Sequence, residues 1–212
     1  MSHKKEYSLE LISKIEAEPL LDKYHYLSGI SKGFKSGYNI GLKHKSKLVG
    51  VCIFTALPVP QIMVGAFGLN RNDQKGFWEL SRLVLEPTHQ SNEHNLASWF
   101  VSRCIKKIRK NEVVRAILSY ADNDYHSGTV YAACNFRYYG LTALKKDFWI
   151  KQSNGTFRKH SRGPVKNLLG EWRPRSQKHR FLMIFDKTLN CLWTKEKWSN
   201  TAKLGGGESY VA

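Results

Sequence analysis

Three groups of side chains in this 212-residue sequence carry chemistry. In "DKYHYLSG" the adjacent His25 and Tyr26 join an imidazole that is neutral near pH 7, suited to proton transfer, to rings that can stack on a base or serve as a partly exposed structural pair. In "LSYADNDYHSGTVYAACNFRYYG" a hydroxyl, Ser119, and a carboxylate, Asp122, stand at the end of a strand-like run. "ADND" is equally good turn chemistry. The same stretch sets Tyr131 five residues before Phe136, with Asn135 between them. Asparagine accepts a left-handed backbone almost as readily as glycine, so a short helix can end there. Tyr131 is then either a proton donor or a core tyrosine with a satisfied hydroxyl.

The third group is basic. Arg158, Lys159, Arg162, Lys166, Arg173, Arg175, Lys178 and Arg180 are interleaved with Phe157 and Trp172. Such a composition can track phosphates while a ring stacks or wedges against bases. The alternative is a solvated basic surface around a buried tryptophan. Metal ligation is not indicated, because His25, His94 and His126 are far apart and no histidines are paired at i,i+4. Cys52, Cys104, Cys134 and Cys191 form no CxxC pair and read as reduced packing thiols.

The bulk composition agrees with the basic group. Lysine and arginine number 34 against 17 acidic residues, a net +17, which concentrates polyanions around the protein and makes nucleic acid the natural partner. A hydrophobic fraction of 42% is enough to bury a core in one domain with an extension. The longest apolar runs, such as Leu48 to Val59, are too short to span a bilayer, and "MSHKKEYSLE" lacks an apolar signal core. A cytoplasmic protein with no membrane contact is expected.

These groups need elements to hold them. Leu9, Leu11, Ile12 and Ile15 recur with helical spacing from Ser8 to about Glu18, with a break at Pro19. "GYNIGLKH" and "SKLVGVCIFTALP" read as a hairpin turning at Lys45-Ser46, and "QIMVGAFG" as a further extended segment. "FWELSRLVLEP" alternates as a strand and stops at Pro87; "THQSNEHN" is a polar turn in which Ser91 or Asn92 can cap the next helix. "LASWFVSRCIKKIRK" sets Leu96, Trp99, Phe100, Cys104, Ile105 and Ile108 on one helical stripe. "VVRAILSYAD", a short helix within "HSGTVYAACNFRYYG", "RYYGLTALKKDFWIK" and "HRFLMIFD" complete an alternation of strands and helices, the pattern of an α/β or α+β sheet protein. Three units are expected: 1–150, a basic extension 151–198, and a tail 199–212 with three consecutive glycines.

The order from Gly37 to Ile150 resembles the GCN5-related N-acetyltransferase (GNAT) fold, which implies an α+β class with a mixed central sheet flanked by helices. The resemblance implies that acetyl-CoA or a related acyl-CoA lies along the fourth strand, at Leu83, Val84 and Leu85, and meets the following turn at Gln90, Ser91, Asn92 and Asn95. The family's pyrophosphate-loop glycines are missing from "HQSNEHNLAS". It also often carries Tyr-x-x-x-Gly-Phe, whose tyrosine protonates the leaving thiolate; "YAACNF" matches with Asn135 in the glycine position, so the resemblance implies Tyr131 as general acid. More narrowly, "LSYADNDYHSGTVY" and His25-Tyr26 are similar to the phage Mom-like branch. Its members convert adenine N6 in DNA to carbamoylmethyladenine and so evade restriction. For this chain that implies an enzyme in the host cytoplasm that acts on a flipped adenine of double-stranded DNA. Tyr131, Asp122, Ser119, His25 and Tyr26 would stand at its catalytic centre. Arg158, Lys159, Arg162, Arg173, Arg175, Lys178, Arg180 and Trp172 would hold DNA. Iron is conceivable by analogy with the branch alone. The other readings are an ordinary N-acetyltransferase acting on a protein or small amine, and a non-catalytic DNA-binding protein on the same fold.

Overall fold

The computed structural model describes residues 6–26, 34–160 and 163–200. In chain order the elements are β1 (Tyr7–Leu11), α1 (Lys14–Tyr24), β2 (Tyr38–His44), β3 (Lys47–Ala56), α2 (Gln61–Phe67), β4 (Phe77–Leu85), α3 (Pro87–Asn92), α4 (Leu96–Asn111), β5 (Ala116–Asp122), α5 (Thr129–Ala133), β6 (Arg137–Leu141), β7 (Lys145–Lys151), β8 (Phe157–Lys159), β9 (Gly170–Arg175) and β10 (Lys178–Ile184). Seven strands form one mixed sheet in the order β1-β2-β3-β4-β5-β10-β6; β8-β7-β9 form a second, smaller one. Within the large sheet β4 and β5 run parallel, and the other neighbours are antiparallel.

The expected α4 stripe packs one face of the large sheet. Leu96, Phe100, Cys104, Ile105 and Ile108 are buried with Ile40, Leu42, Phe54, Ile117 and Phe181. On the other face, Ala17 and Leu21 of α1 meet Val51, Ile53 and Val84. Farther along, Met63, Ala66 and Phe67 of α2 meet Phe77, Leu118 and Leu182. The expected hairpin is present, and Lys45 and Ser46 both take positive φ, 47° and 70°, the requirement of a two-residue turn that follows the twist of its strands.

Four local expectations are corrected. Tyr7–Leu11 is a strand registered on Ile40–His44, not a helix. The helix begins at Ser13, whose hydroxyl accepts from the Glu16 amide while Glu16 returns the bond, and it continues through Pro19 at the loss of one intrahelical bond. "QIMVGAF" is helical because Met63, Ala66 and Phe67 are spaced i, i+3, i+4 and Gly68, at φ 64°, closes the last turn. Pro87 opens α3 rather than ending structure, so Glu86 and Asn95, not Ser91 or Asn92, occupy the cap positions of α3 and α4. "RYYGLTALKKDFWIK" is two strands in two sheets, β6 and β7. β10 enters the large sheet between β5 and β6, which places residues 178–184 beside Asp122.

Candidate active site: a cleft through a strand fork

The parallel pair β4 and β5 is hydrogen-bonded only from Phe77–Leu80 against Ala116–Ser119. Beyond that point the strands part. Ser119 sits at the apex of this fork, its buried hydroxyl donating 3.0 Å to the Leu80 carbonyl. On its other side β4 pairs with β3, and the register skips Ser81 between Ile53 and Phe54. This β-bulge increases the local twist. The β4 edge from Ser81 to Leu85 is thereby left open toward β5.

A cleft of about 420 Å³ fills the fork, within the usual range for small-molecule sites. Strand alternation gives its walls to both faces of the sheet. Leu83, Leu85, Ala97, Val130 and Tyr131 come from the α4–α5 face, and Tyr24, His25, Tyr26, Val84 and Tyr120 from the α1–α2 face. Gln90 and Ser91 of α3 close one end, and Tyr125 and His126 the other. Among the described residues, no Asp, Glu, Lys or Arg lines it.

Tyr131 is positioned by a sharp helix end. Phe136 N–H donates to the Tyr131 carbonyl and Asn135 N–H to that of Ala132, with Asn135 at φ 65°. This is a Schellman motif whose six-residue closure requires the spacing of five, and the rings of Tyr131 and Phe136 meet at 5.7 Å. Burial pushes the Tyr131 phenol upward, opposed by the neighbouring Ser119 hydroxyl, so it holds its proton at neutral pH. Gly128, at φ 81°, starts the helix; a side chain there would overlap Phe181.

On the other side of the fork the histidines are kept neutral. Burial and then the charges of Arg82 and His126 bring His25 down to about 4, and burial also lowers His126. Burial raises Tyr26 and Tyr120 to about 12. Glu79 shares the β4 face of Phe77 by alternation and, like Tyr120, lies on the α1–α2 side. Burial pushes its carboxyl to about 7 against the pull of Arg82 and Lys35, and its charge is felt at Tyr26, Tyr120 and Tyr131. A carboxyl poised near neutrality beside a cleft can act as acid or base.

The structure therefore gathers His25, Tyr26, Leu83, Val84, Leu85, Gln90, Ser91 and Tyr131 on one cleft. Ser119 lies at its apex. Asn92 and Asn95 are exposed and stand off its lining. Asp122 is also outside the lining: its carboxylate takes Ser176, Lys178 and the Asp124 amide. It ties the end of β5 to the start of β10. Glu79, Tyr120 and Tyr125 were not singled out from sequence, although period-two alternation in "FWELS" and "ILSY" places Glu79 and Tyr120 on one face with Phe77 and Leu118. Among the described residues no cluster of three or more His, Cys, Asp or Glu is arranged to hold a metal.

The basic group divides. Arg158 and Lys159 of β8 and Trp172, Arg173 and Arg175 of β9 belong to the small sheet. One face of it is tied internally: Arg175 and Lys159 share Asp147, and Arg173 bonds Glu171 and lies over the Trp149 and Phe157 rings at 4.9 and 4.4 Å. Trp172 is 55% exposed, edge-on to Phe148. Lys178 and Arg180 instead lie on β10 in the large sheet, Arg180 over Trp193 at 4.7 Å. Arg162 lies outside the described residues.

Three solved structures illustrate the fold. An agmatine N-acetyltransferase variant in apo form superposes with a TM-score of 0.51 at 7% identity over 85% of this chain and 100% of its own. An IAA acetyltransferase from Bacillus cereus does so with 0.51 at 12%, over 84% and 99%. A putative acetyltransferase from Salmonella typhimurium, solved with its cofactor acetyl-CoA, gives 0.50 at 10%, over 86% and 95%. The fold is that of the GNAT acetyltransferases. Comparison with the curated proteins gave no match. A family profile, that of the Mom protein family, aligns with residues 6–199. With its fork, its Tyr131 helix and its basic strands all inside that span, the chain belongs to the Mom protein family.

Proposed function

We propose that this protein transfers the acyl group of an acyl-CoA to the N6 amine of adenine in double-stranded DNA, a Mom-type modification that protects the DNA from restriction. The observation that carries this reading is the cleft itself. It passes through the sheet at the fork, with the protonated Tyr131 phenol in its wall and the near-neutral Glu79 carboxyl outside its lining, in a Mom-family chain of net charge +17.

The residues suit an acyl-CoA arm. The open β4 edge at Leu83, Val84 and Leu85 offers main-chain groups to an extended amide chain. Gln90, Ser91 and the first turn of α4 at Ala97 supply neutral donors toward the phosphate end. An acyl-CoA bound there would supply an activated carbonyl: the N6–C bond would form as the C–S bond breaks, with CoA leaving as its thiol and an N6-acyladenine as the product. A stacked adenine cannot reach this depth. It must be flipped out at a cost of a few kcal/mol, offset by stacking in the cleft and by phosphate contacts. Glu79 accepts a proton on the amine's side of the fork, Tyr131 donates its phenolic proton on the thioester side, and Ser119 holds that phenol in place. His25 and Tyr26 line the base's path, while Asp122 positions the turn that carries Tyr125 and His126. Lys145, Lys146, Arg158 and Trp172 on the small sheet face solvent, available to flanking phosphates and bases. A thioester aminolysed by a free small amine would call for no such cationic surroundings.

Plasmid isolated from bacteria expressing the protein should resist restriction enzymes whose sites contain adenine, and plasmid from cells expressing Tyr131→Phe should be cut. Complete cutting of both, with the protein folded and abundant, contradicts the proposal.

A further inference from the structure

Tyr26 is surrounded by rings. His25 lies nearly parallel at 4.6 Å and 28°, Tyr125 at 4.8 Å and 37°, and His126 edge-on at 5.6 Å and 77°. Three of the four are half-buried or deeper; Tyr125 is 38% exposed. It stands at the tip of the turn in which the Asp122 carbonyl accepts from the amides of Tyr125 and His126. Asp122 is itself fixed by Ser176 and Lys178. The base of the turn is therefore anchored while its tip meets solvent. Aromatic pairs prefer an offset parallel or an edge-on contact, and the 37° tilt of Tyr125 on Tyr26 is neither.

The chemistry of this end of the cleft selects its occupant. Among the described residues its lining holds aromatic rings and neutral hydroxyls without a charged side chain, and burial keeps both histidines neutral. A planar, uncharged heterocycle finds parallel faces.

We propose that Tyr125 is the lid of a base seat: an extruded nucleobase enters between Tyr26 and Tyr125, and Tyr125 turns outward and closes over its second face. The inference rests on the DNA reading given above and adds the residue that captures the base. In the absence of DNA, Tyr125 rests on Tyr26 and covers the seat. When the base is inserted, His25, Tyr26, the base and Tyr125 form one stack at the cleft mouth.

The test uses duplexes with a single 2-aminopurine opposite an abasic site, so that the base needs no unpairing, in several flanking sequences, beside fully paired duplexes without the analogue. Wild-type protein should quench the 2-aminopurine emission on binding. Tyr125→Phe should match it. Tyr125→Ala should bind the 2-aminopurine duplex about tenfold more weakly, the scale of one base stacked on one ring. Its affinity for the paired duplex and its salt slope should be unchanged, since phosphate contacts are untouched. Unchanged quenching and affinity in Tyr125→Ala, or an equal loss in Tyr125→Phe, overturns the lid. Wild-type binding to both duplexes with no change in emission overturns the seat while DNA binding stands. Wild-type protein that binds neither duplex overturns the DNA reading and this inference with it.

Discussion

Tyr131 owes its place to backbone requirements that can be read in one dimension. Five residues separate it from Phe136 because a Schellman closure needs that number, and Asn135 supplies the left-handed residue. Replacing Tyr131 by Phe removes the proton and keeps the ring against Phe136 and Phe181. Modification should fall by about 100-fold or more, the usual scale of general-acid catalysis, with an unchanged melting temperature. Glu79 and His25 were harder to read as a pair, because one comes from a strand and the other from the end of a helix, and only the fold sets both beside Arg82. Their titrations oppose each other. His25, held near 4 in the fold against 6.5 in the unfolded chain, makes stability fall as pH drops from about 6.5 to 4. Glu79, raised to about 7 from 4.5, makes stability rise over nearly the same interval as pH drops. Glu79 thus offsets part of the loss that the buried histidines bring on acidification. In Glu79→Gln that offset is gone, and denaturant unfolding should show a steeper loss of stability between pH 6.5 and 4 than in the wild type. An unchanged slope in the variant would contradict the assignment. The same variant should lose turnover and the rise of its rate near pH 7.

At the scale of elements, the fork is made by small devices. Ser119 fastens its apex to Leu80, the Ser81 bulge turns β4, and Gly128 lets α5 start beneath Phe181. Gly128→Ala combines a strained positive φ with a direct overlap on Phe181, and should cost about 3 kcal/mol in chemical denaturation; an effect below about 1 kcal/mol would show that the turn relaxes freely. The long elements were legible: β4, α4 and β5 carry strong period-two or 3.6-residue patterns that burial against two layers enforces. The short ones were not. Tyr7–Leu11 has helical spacing by accident and becomes a strand because β2 offers an open edge. "QIMVGAF" has the composition of a strand but too few residues for its stripe of Met63, Ala66 and Phe67 to stand out. α3 takes the place of a glycine-rich turn, which is why Gln90 and Ser91 reach the cleft and Asn92 and Asn95 do not.

For the whole molecule, composition announced a polyanion partner but not where it would lie. The structure draws Lys159, Arg173 and Arg175 partly into internal ion pairs, so their replacement mixes stability with binding. Lys145, Lys146 and Arg158 are exposed, and neither Lys145 nor Lys146 has an ion pair among the described residues. Lys145→Gln with Lys146→Gln should weaken DNA binding uniformly across sequences and reduce the salt slope by about 2, one per lost phosphate contact. An unchanged slope removes the small sheet from the interface. Among the described residues no helix is long and apolar enough to cross a membrane. The late entry of β10 between β5 and β6 brings Lys178 onto Asp122 at the end of β5. The central claim, that this cleft modifies adenine in DNA, is met most directly by mass spectrometry of nucleosides from DNA of cells expressing the protein. The prediction is a deoxyadenosine derivative heavier by the transferred acyl group, absent with Tyr131→Phe. A deoxyadenosine pool free of any adduct, with wild-type protein folded and abundant, would contradict it.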